Sequence, residues 1–287
     1  MLRALSAALI MALAPTAVLA HDNCTMCEEW NAPQAPFSLY GNSYYVGVRG
    51  LSAVLITGPS GHVLIDGALP ESAPLIVDNI RRLGFRIQDV KYILNSHAHF
   101  DHAGGIAELQ RLSGARVLAP PLGAQVLRTG KALPQDAQFG DLSDVAVVAD
   151  VRTLADGETV KLPGLEVTAH YTPGHAPGGA SWSWKSCEGD KCANMVFADS
   201  LSAIPFNNYK FSAHPSVMAD FERSFAKVES LPCDVMLSAH PEASDLWTRQ
   251  ARQKELGNAA MVDPGACRAY AARARANFAK RLAAERG

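Results

Sequence analysis

Four of the six residues in His97-Ala98-His99-Phe100-Asp101-His102 carry an imidazole nitrogen or a carboxylate oxygen, the donors that zinc accepts. His97 and His99 alternate as strand residues do, so their side chains point the same way and can grip one ion. Asp101 and His102 follow just as Ala103-Gly104-Gly105 leads into the helix-like stretch 106–112, which turns them toward a second position nearby. A catalytic zinc keeps one coordination position open for water, and two adjacent zincs can activate one water and stabilise the leaving atom together. Four protein ligands in six residues are too many for one open site; they suit two. A lone histidine is an ordinary core or surface residue, as expected for His21, His62, His170 and His214, but this cluster is joined by His175 and His240.

The elements that must position these residues alternate in character. Stretches 43–48, 53–57 and 62–66 are β-branched and apolar, the last two separated by Gly58-Pro59-Ser60-Gly61, and read as a β-meander. Residues 74–83 have helical apolar spacing with Gly84 as C-cap, and 90–94 returns to strand character, running straight into Asn95-Ser96-His97. The second half repeats the order: strands at 165–169, 180–184 and 195–198, a helix at 217–231, a strand at 233–237 and an alanine-rich helix at 267–282. Strands with helices outside them predict an α/β layered architecture. Three strand-like stretches end in loops bearing His97, His175 and His240, and functional groups of open α/β sheets gather beyond the carboxyl ends of strands. That placement turns scattered histidines into one site.

The 287 residues are 48% hydrophobic and 19% charged, with 26 basic against 28 acidic side chains. Such a balance gives no electrostatic reason to expect a nucleic acid or an anionic membrane as partner; a small-molecule substrate fits. Residues 1–20 carry one cation, an apolar run and Val18-Leu19-Ala20, the pattern of an export signal, and the run is too short and too interrupted by Pro15 for a membrane span. Residues 21–287 are then one domain, expected to be a monomer in the periplasm and free of the membrane after signal removal. Six cysteines in an exported chain favour disulfides: Cys187 with Cys192 around a short polar loop, Cys233 with Cys267 tying the last helix to the core, and a local Cys24–Cys27 pair.

The run from His97 to Gly105 resembles the signature of the metallo-β-lactamase superfamily, and the order of His175, Phe197-Ala198-Asp199-Ser200 and His240 extends the resemblance from about Leu51 to His240. It implies a four-layered αβ/βα sandwich and two zinc ions, one held by His97, His99 and His175 and the other by Asp101, His102 and His240, with Asp101 also orienting the attacking water. Ser181-Trp182-Ser183-Trp184, the Cys187/Cys192 loop, Asp199-Ser200-Leu201-Ser202 and His240-Pro241 look like the third subclass of class B β-lactamases, which has histidine at the second zinc and serines near the substrate carboxylate.

That resemblance implies hydrolysis of the β-lactam amide of penicillins, cephalosporins and carbapenems, and so antibiotic resistance. Ser200 and Ser202 alternate, so both hydroxyls can face a carboxylate; Gln138 resembles a substrate-contacting glutamine of some relatives. The segment 119–150 is expected to lie partly over the site, and Asp66 to support the fold. Fold alone does not name a substrate. Glyoxalase-type thioesterases and lactonases place a bridging aspartate in the region of Asp199 and form the alternative; a non-catalytic zinc protein is a third, weakened because the cysteines that close most structural zinc sites lie away from the histidines.

Overall fold

A computed structural model describes residues 24–286 of the protein. The expected export signal at 1–20, and His21, lie outside them. Strands β1 (Phe37–Tyr40), β2 (Ser43–Tyr45), β3 (Val54–Gly58), β4 (Gly61–Ile65), β5 (Val90–Leu94), β6 (Arg116–Ala119) and β7 (Val151–Thr153) form one sheet in that order. It is antiparallel as far as β4 and parallel from there on. A second sheet orders β12 (Val235–Ser238), β11 (Lys191–Ala198), β10 (Ala180–Glu188), β9 (Leu165–Tyr171) and β8 (Thr159–Leu162), with β11 and β12 parallel. The helices are α1 (Cys27–Trp30), α2 (Ala73–Arg82), α3 (Phe100–Ala103), α4 (Ile106–Ser113), α5 (Pro121–Thr129), α6 (Pro215–Ser230), α7 (Leu246–Leu256) and α8 (Ala266–Ala284).

The period-2 alternation of side chains assigns these elements to layers. In β4, Val63 and Ile65 join Val54, Leu94, Trp182, Phe197 and Leu237 in a core between the two sheets, while Leu64 faces the other way onto Ile76 and Ile80 of α2 and Ile106 and Leu109 of α4. In β11, Met195 and Phe197 enter the inter-sheet core, and Val196 and Ala198 pack on Phe221 and Phe225 of α6 and Phe278 of α8. The result is helix, sheet, sheet, helix, the four-layered αβ/βα sandwich expected. Among the described residues no helix is long and apolar enough to cross a membrane.

The strand expected over 43–48 ends at Tyr45. Beyond it the chain tightens at Gly47, where a Cβ would lie 2.4 Å from the Leu51 carbonyl oxygen, and Val46 and Val48 are buried in the outer helix-facing core instead. The helix expected over 74–83 is α2, stopped where Gly84 takes a φ of +86°. Strands β1, β6, β7 and β8 were not anticipated; they are three or four residues long, shorter than the runs over which alternation can be read.

All six cysteines pair as expected: Cys24–Cys27, Cys187–Cys192 and Cys233–Cys267. The last joins residues 34 apart and fastens the start of α8 beside β12. A loop of that length restricts the unfolded chain by about 3–4 kcal/mol in the chain-entropy account. The double variant Cys233→Ser/Cys267→Ser should therefore melt roughly 5–10 °C lower, as read by differential scanning calorimetry; an unchanged melting temperature would show that the bridge carries no stability.

Candidate metal centre

The histidine-bearing loop 95–102 is clamped by an aspartate behind it. Asp66, at the end of β4, is fully buried with φ of +61°. Its carboxylate accepts from the Ser96 amide (2.7 Å), the Ser96 hydroxyl (2.5 Å) and the Asn95 side-chain amide (3.1 Å). Burial pushes its carboxyl up to about 7 against those hydrogen bonds. Asp66 thus supports the fold, as expected. Two further backbone bonds close the sheets against each other here: Ala180 donates to the Ser96 carbonyl (2.7 Å) and Ser52 to that of Ala239 (2.9 Å).

The three strand-end loops meet. Ring centroids of His99, His102 and His175 lie 4.6, 4.3 and 4.8 Å from that of His97. Ligand atoms of His97, His99 and His175 fall within 4.8 Å of one another, as do those of His97, Asp101 and His102. His240 completes a second convergence: its Nε2 is 3.2 Å from His102 Nε2 and 3.4 Å from Asp101 Oδ2, which is itself 3.1 Å from His102 Nε2. All six residues expected as ligands are therefore brought together.

The outward-facing nitrogens of three of these histidines have partners of the kind that orient metal-binding imidazoles. His97 Nδ1 is 2.7 Å from Asp199 Oδ1, and His99 Nε2 is 2.9 Å from Asp136 Oδ2. His175 Nδ1 donates to the Ser202 carbonyl at 2.8 Å, which leaves its Nε2 with a lone pair. Meanwhile His97 Nε2 is buried and has no hydrogen-bond partner among the described residues, a costly arrangement unless something else occupies that lone pair. A buried nitrogen without a partner among six converging imidazole and carboxylate donors, three of the imidazoles held from behind, fits a metal ion of the zinc class.

The electrostatics agree. Burial and the adjacent His102, His99 and His175 hold the His97 imidazole well below its ordinary range, and burial with His99 takes His175 down to about 3. Both rings are thus neutral, the ligating form. Burial pushes Asp101 up, but His102 and His240 outweigh it and hold the carboxyl well below the usual range. Burial lowers His240, yet its hydrogen bond and charge interaction with Asp101 raise it overall.

Ser200 and Ser202 do not lie in a strand, since β11 ends at Ala198. Ser200 is buried, Ser202 exposed with its hydroxyl 3.2 Å from His175 Nδ1, and both line one groove of about 620 Å³ together with His240 and a largely exposed face of α8. Gln138 does not line that groove. It follows the Asp136 turn, donating its backbone amide to Asp136 Oδ1 (2.9 Å), and its side-chain nitrogen is buried without a partner among the described residues. Sequence reasoning passed over Asp136, whose one signal is its place in the segment 119–150 expected over the site. It also passed over Trp30, whose ring stands 5.2 Å from that of His240.

The Metallo-beta-lactamase superfamily model matches residues 46–240. The MEM-A1 subclass B3 metallo-beta-lactamase from a soil metagenome library is 58% identical, with 89% of this chain and 98% of that one covered and a TM-score of 0.88. The Rm3 metallo-beta-lactamase is 54% identical over 92% of this chain and all of its own, with a TM-score of 0.91. At greater distance, the hydroxyacylglutathione hydrolase of Rhodopseudomonas palustris (strain HaA2) is 30% identical over 207 residues, 72% of this chain and 68% of that one.

Proposed function

The chain belongs to the metallo-β-lactamase superfamily, and from that premise we infer that it is a zinc-dependent β-lactam hydrolase. Similarity above 50% to two metallo-β-lactamases over about nine tenths of the chain supports the reading. The observation that carries it is the meeting of His240 with Ser200 and Ser202 in one groove, which sets hydroxyl donors for a substrate carboxylate beside the donor cluster.

His97, His99 and His175 would hold one zinc, and Asp101, His102 and His240 would hold a second. When bound, zinc supplies Lewis-acid chemistry, making water nucleophilic near neutral pH and withdrawing charge from the breaking amide. Asp101, kept ionised by His102 and His240, accepts a hydrogen bond from the attacking water and orients it. Ser200 and Ser202 donate to the substrate carboxylate and fix the ring's position. Gln138, outside this groove, would reach the substrate only by turning out of the loop that follows Asp136. Water adds across the carbonyl carbon–nitrogen bond, the carbon becoming a carboxylate and the ring nitrogen taking a proton. The chain acts as a monomer in the periplasm once residues 1–20 are removed, with 21–287 as one unit, where penicillins, cephalosporins and carbapenems meet their targets; it thereby confers resistance.

The alternative, a thioesterase or lactonase with Asp199 bridging two metals, sits poorly with an aspartate whose Oδ1 faces the rear nitrogen of His97. A hydrolysis panel tests the reading. Zinc-loaded protein should open the ring of a penicillin, a cephalosporin and a carbapenem, lose that activity to a chelator and regain it with zinc. Intact β-lactams alongside rapid cleavage of a lactone or thioester would overturn it.

A further inference from the structure

The groove that holds Ser200, Ser202 and His240 does not end there. Its other wall is a stripe of α8 comprising Tyr270, Arg273, Asn277, Lys280 and Ala284, residues three or four apart that share one helix face. At 1.5 Å per residue the stripe runs about 20 Å, longer than a fused β-lactam nucleus requires. Arg273, Lys280 and Arg281 line the groove and no carboxylate does. Within Ala266–Ala284 every charged residue is basic.

The cations of this helix are employed unequally. Arg275 pairs with Glu222 and Glu229 on α6, and Arg281 acts on Glu285. Arg273 instead donates to the Ala243 carbonyl (2.5 Å), three residues past His240, and has no carboxylate partner among the described residues. Lys280 and Asn277 have no ion-pair or side-chain hydrogen-bond partner there either. The stripe is also fixed in place. Cys233–Cys267 pins the helix start, the Tyr270 hydroxyl donates to the Asp199 carbonyl (2.9 Å) beside the donor cluster, and the Glu285 carboxylate takes the Phe211 and Ser212 amides at the far end.

We propose that Arg273, Asn277 and Lys280 form a second anion subsite, which favours β-lactams carrying an acidic group on a side chain in addition to the ring carboxylate. This rests on the β-lactam reading above. The ring carboxylate goes to Ser200 and Ser202; the second acid reaches along the groove to a guanidinium and an ammonium that lack an internal counter-ion, with Asn277 between them as a neutral donor. Partly exposed charge pairs of this kind contribute modestly and weaken with salt.

The test compares a penicillin having one carboxylate with one bearing a second carboxylate on its acylamino side chain, using the zinc-loaded enzyme. For the wild type, KM for the dianion should be the lower, and the ratio of the two KM values should approach unity between 50 mM and 500 mM salt. Lys280→Ala and Arg273→Gln should each shift the ratio about threefold to tenfold against the dianion, and Lys280→Glu further, with circular dichroism and bound zinc reporting that the protein is intact. A ratio unchanged within twofold in Lys280→Ala and Lys280→Glu overturns the subsite. If neither penicillin is cleaved, the hydrolase reading fails. The subsite is then judged from the two dissociation constants by calorimetry: a preference for the dianion that Lys280→Glu removes supports it, and no preference overturns it.

Discussion

His97→Ala should reduce kcat/KM for β-lactam hydrolysis by roughly a thousandfold or more, about 4 kcal/mol of transition-state stabilisation, and should lower the zinc content of the purified protein. The reason is its position. The imidazole is fully buried and belongs to both convergent groups of donors, with His99 and His175 on one side and Asp101 and His102 on the other. Its Nε2 is buried without a hydrogen-bond partner among the described residues. Deleting it also strips Asp199 Oδ1 of its 2.7 Å partner, leaving a buried carboxyl less fully hydrogen-bonded, so some stability is lost as well. Zinc stoichiometry by atomic emission, activity and near-ultraviolet circular dichroism distinguish these losses. Two zincs per chain and activity within tenfold of wild type would show that His97 is not at the centre of the site. His240→Ala is a milder lesion by the same geometry, since among the donors His240 meets Asp101 and His102 and its side chain is one-third exposed.

The first cluster was legible in the sequence because the motif is local: four donors in six residues, following a five-residue parallel strand and leading into the turn before α4. His175 and His240 were legible through a topological rule, since each follows an apolar strand and strand ends converge. What escaped was what has no period. Asp136 lies in a run without helix or strand and acts through one hydrogen bond to His99 from 37 residues away. The serine pair was expected to alternate as in a strand, but β11 stops at Ala198 and Ser202 is turned toward His175. The second wall of the groove escaped too. The alanines of α8 announce a helix, but only the packing of Phe278 against Phe221 and Phe225 fixes which of its faces is inward, and hence which of its arginines face the groove.

Asp199 is where sequence and structure most nearly pointed to different enzymes, and it yields the second large effect. Its carboxylate is enclosed: Oδ1 meets His97 Nδ1, Oδ2 has no hydrogen-bond partner among the described residues, and a Cβ at Gly179 would come within 2.4 Å of it. Burial raises its carboxyl well above the usual range against a backbone hydrogen bond from Ser200, and the 2.7 Å contact with His97 Nδ1 ties it to the donor cluster. In that position it orients an imidazole and fixes which nitrogen carries the proton, a role that typically costs ten- to a hundredfold in metal affinity or activity when removed. Asp199→Ala should therefore weaken zinc binding and kcat/KM by about that factor. Asp199→Asn retains an oxygen that can accept from His97 Nδ1–H and should stay within about tenfold of wild type. An aspartate bridging two metals gives the opposite order of severity for the second variant: a neutral amide is a poor replacement for a shared carboxylate, and Asn would be nearly as damaging as Ala. Chelator-competition titrations of zinc affinity in the two variants, alongside their kcat/KM values, decide between the arrangements. A large loss in both would return the thioesterase and lactonase reading to contention, whereas a loss confined to Asp199→Ala leaves Asp199 as the support of His97.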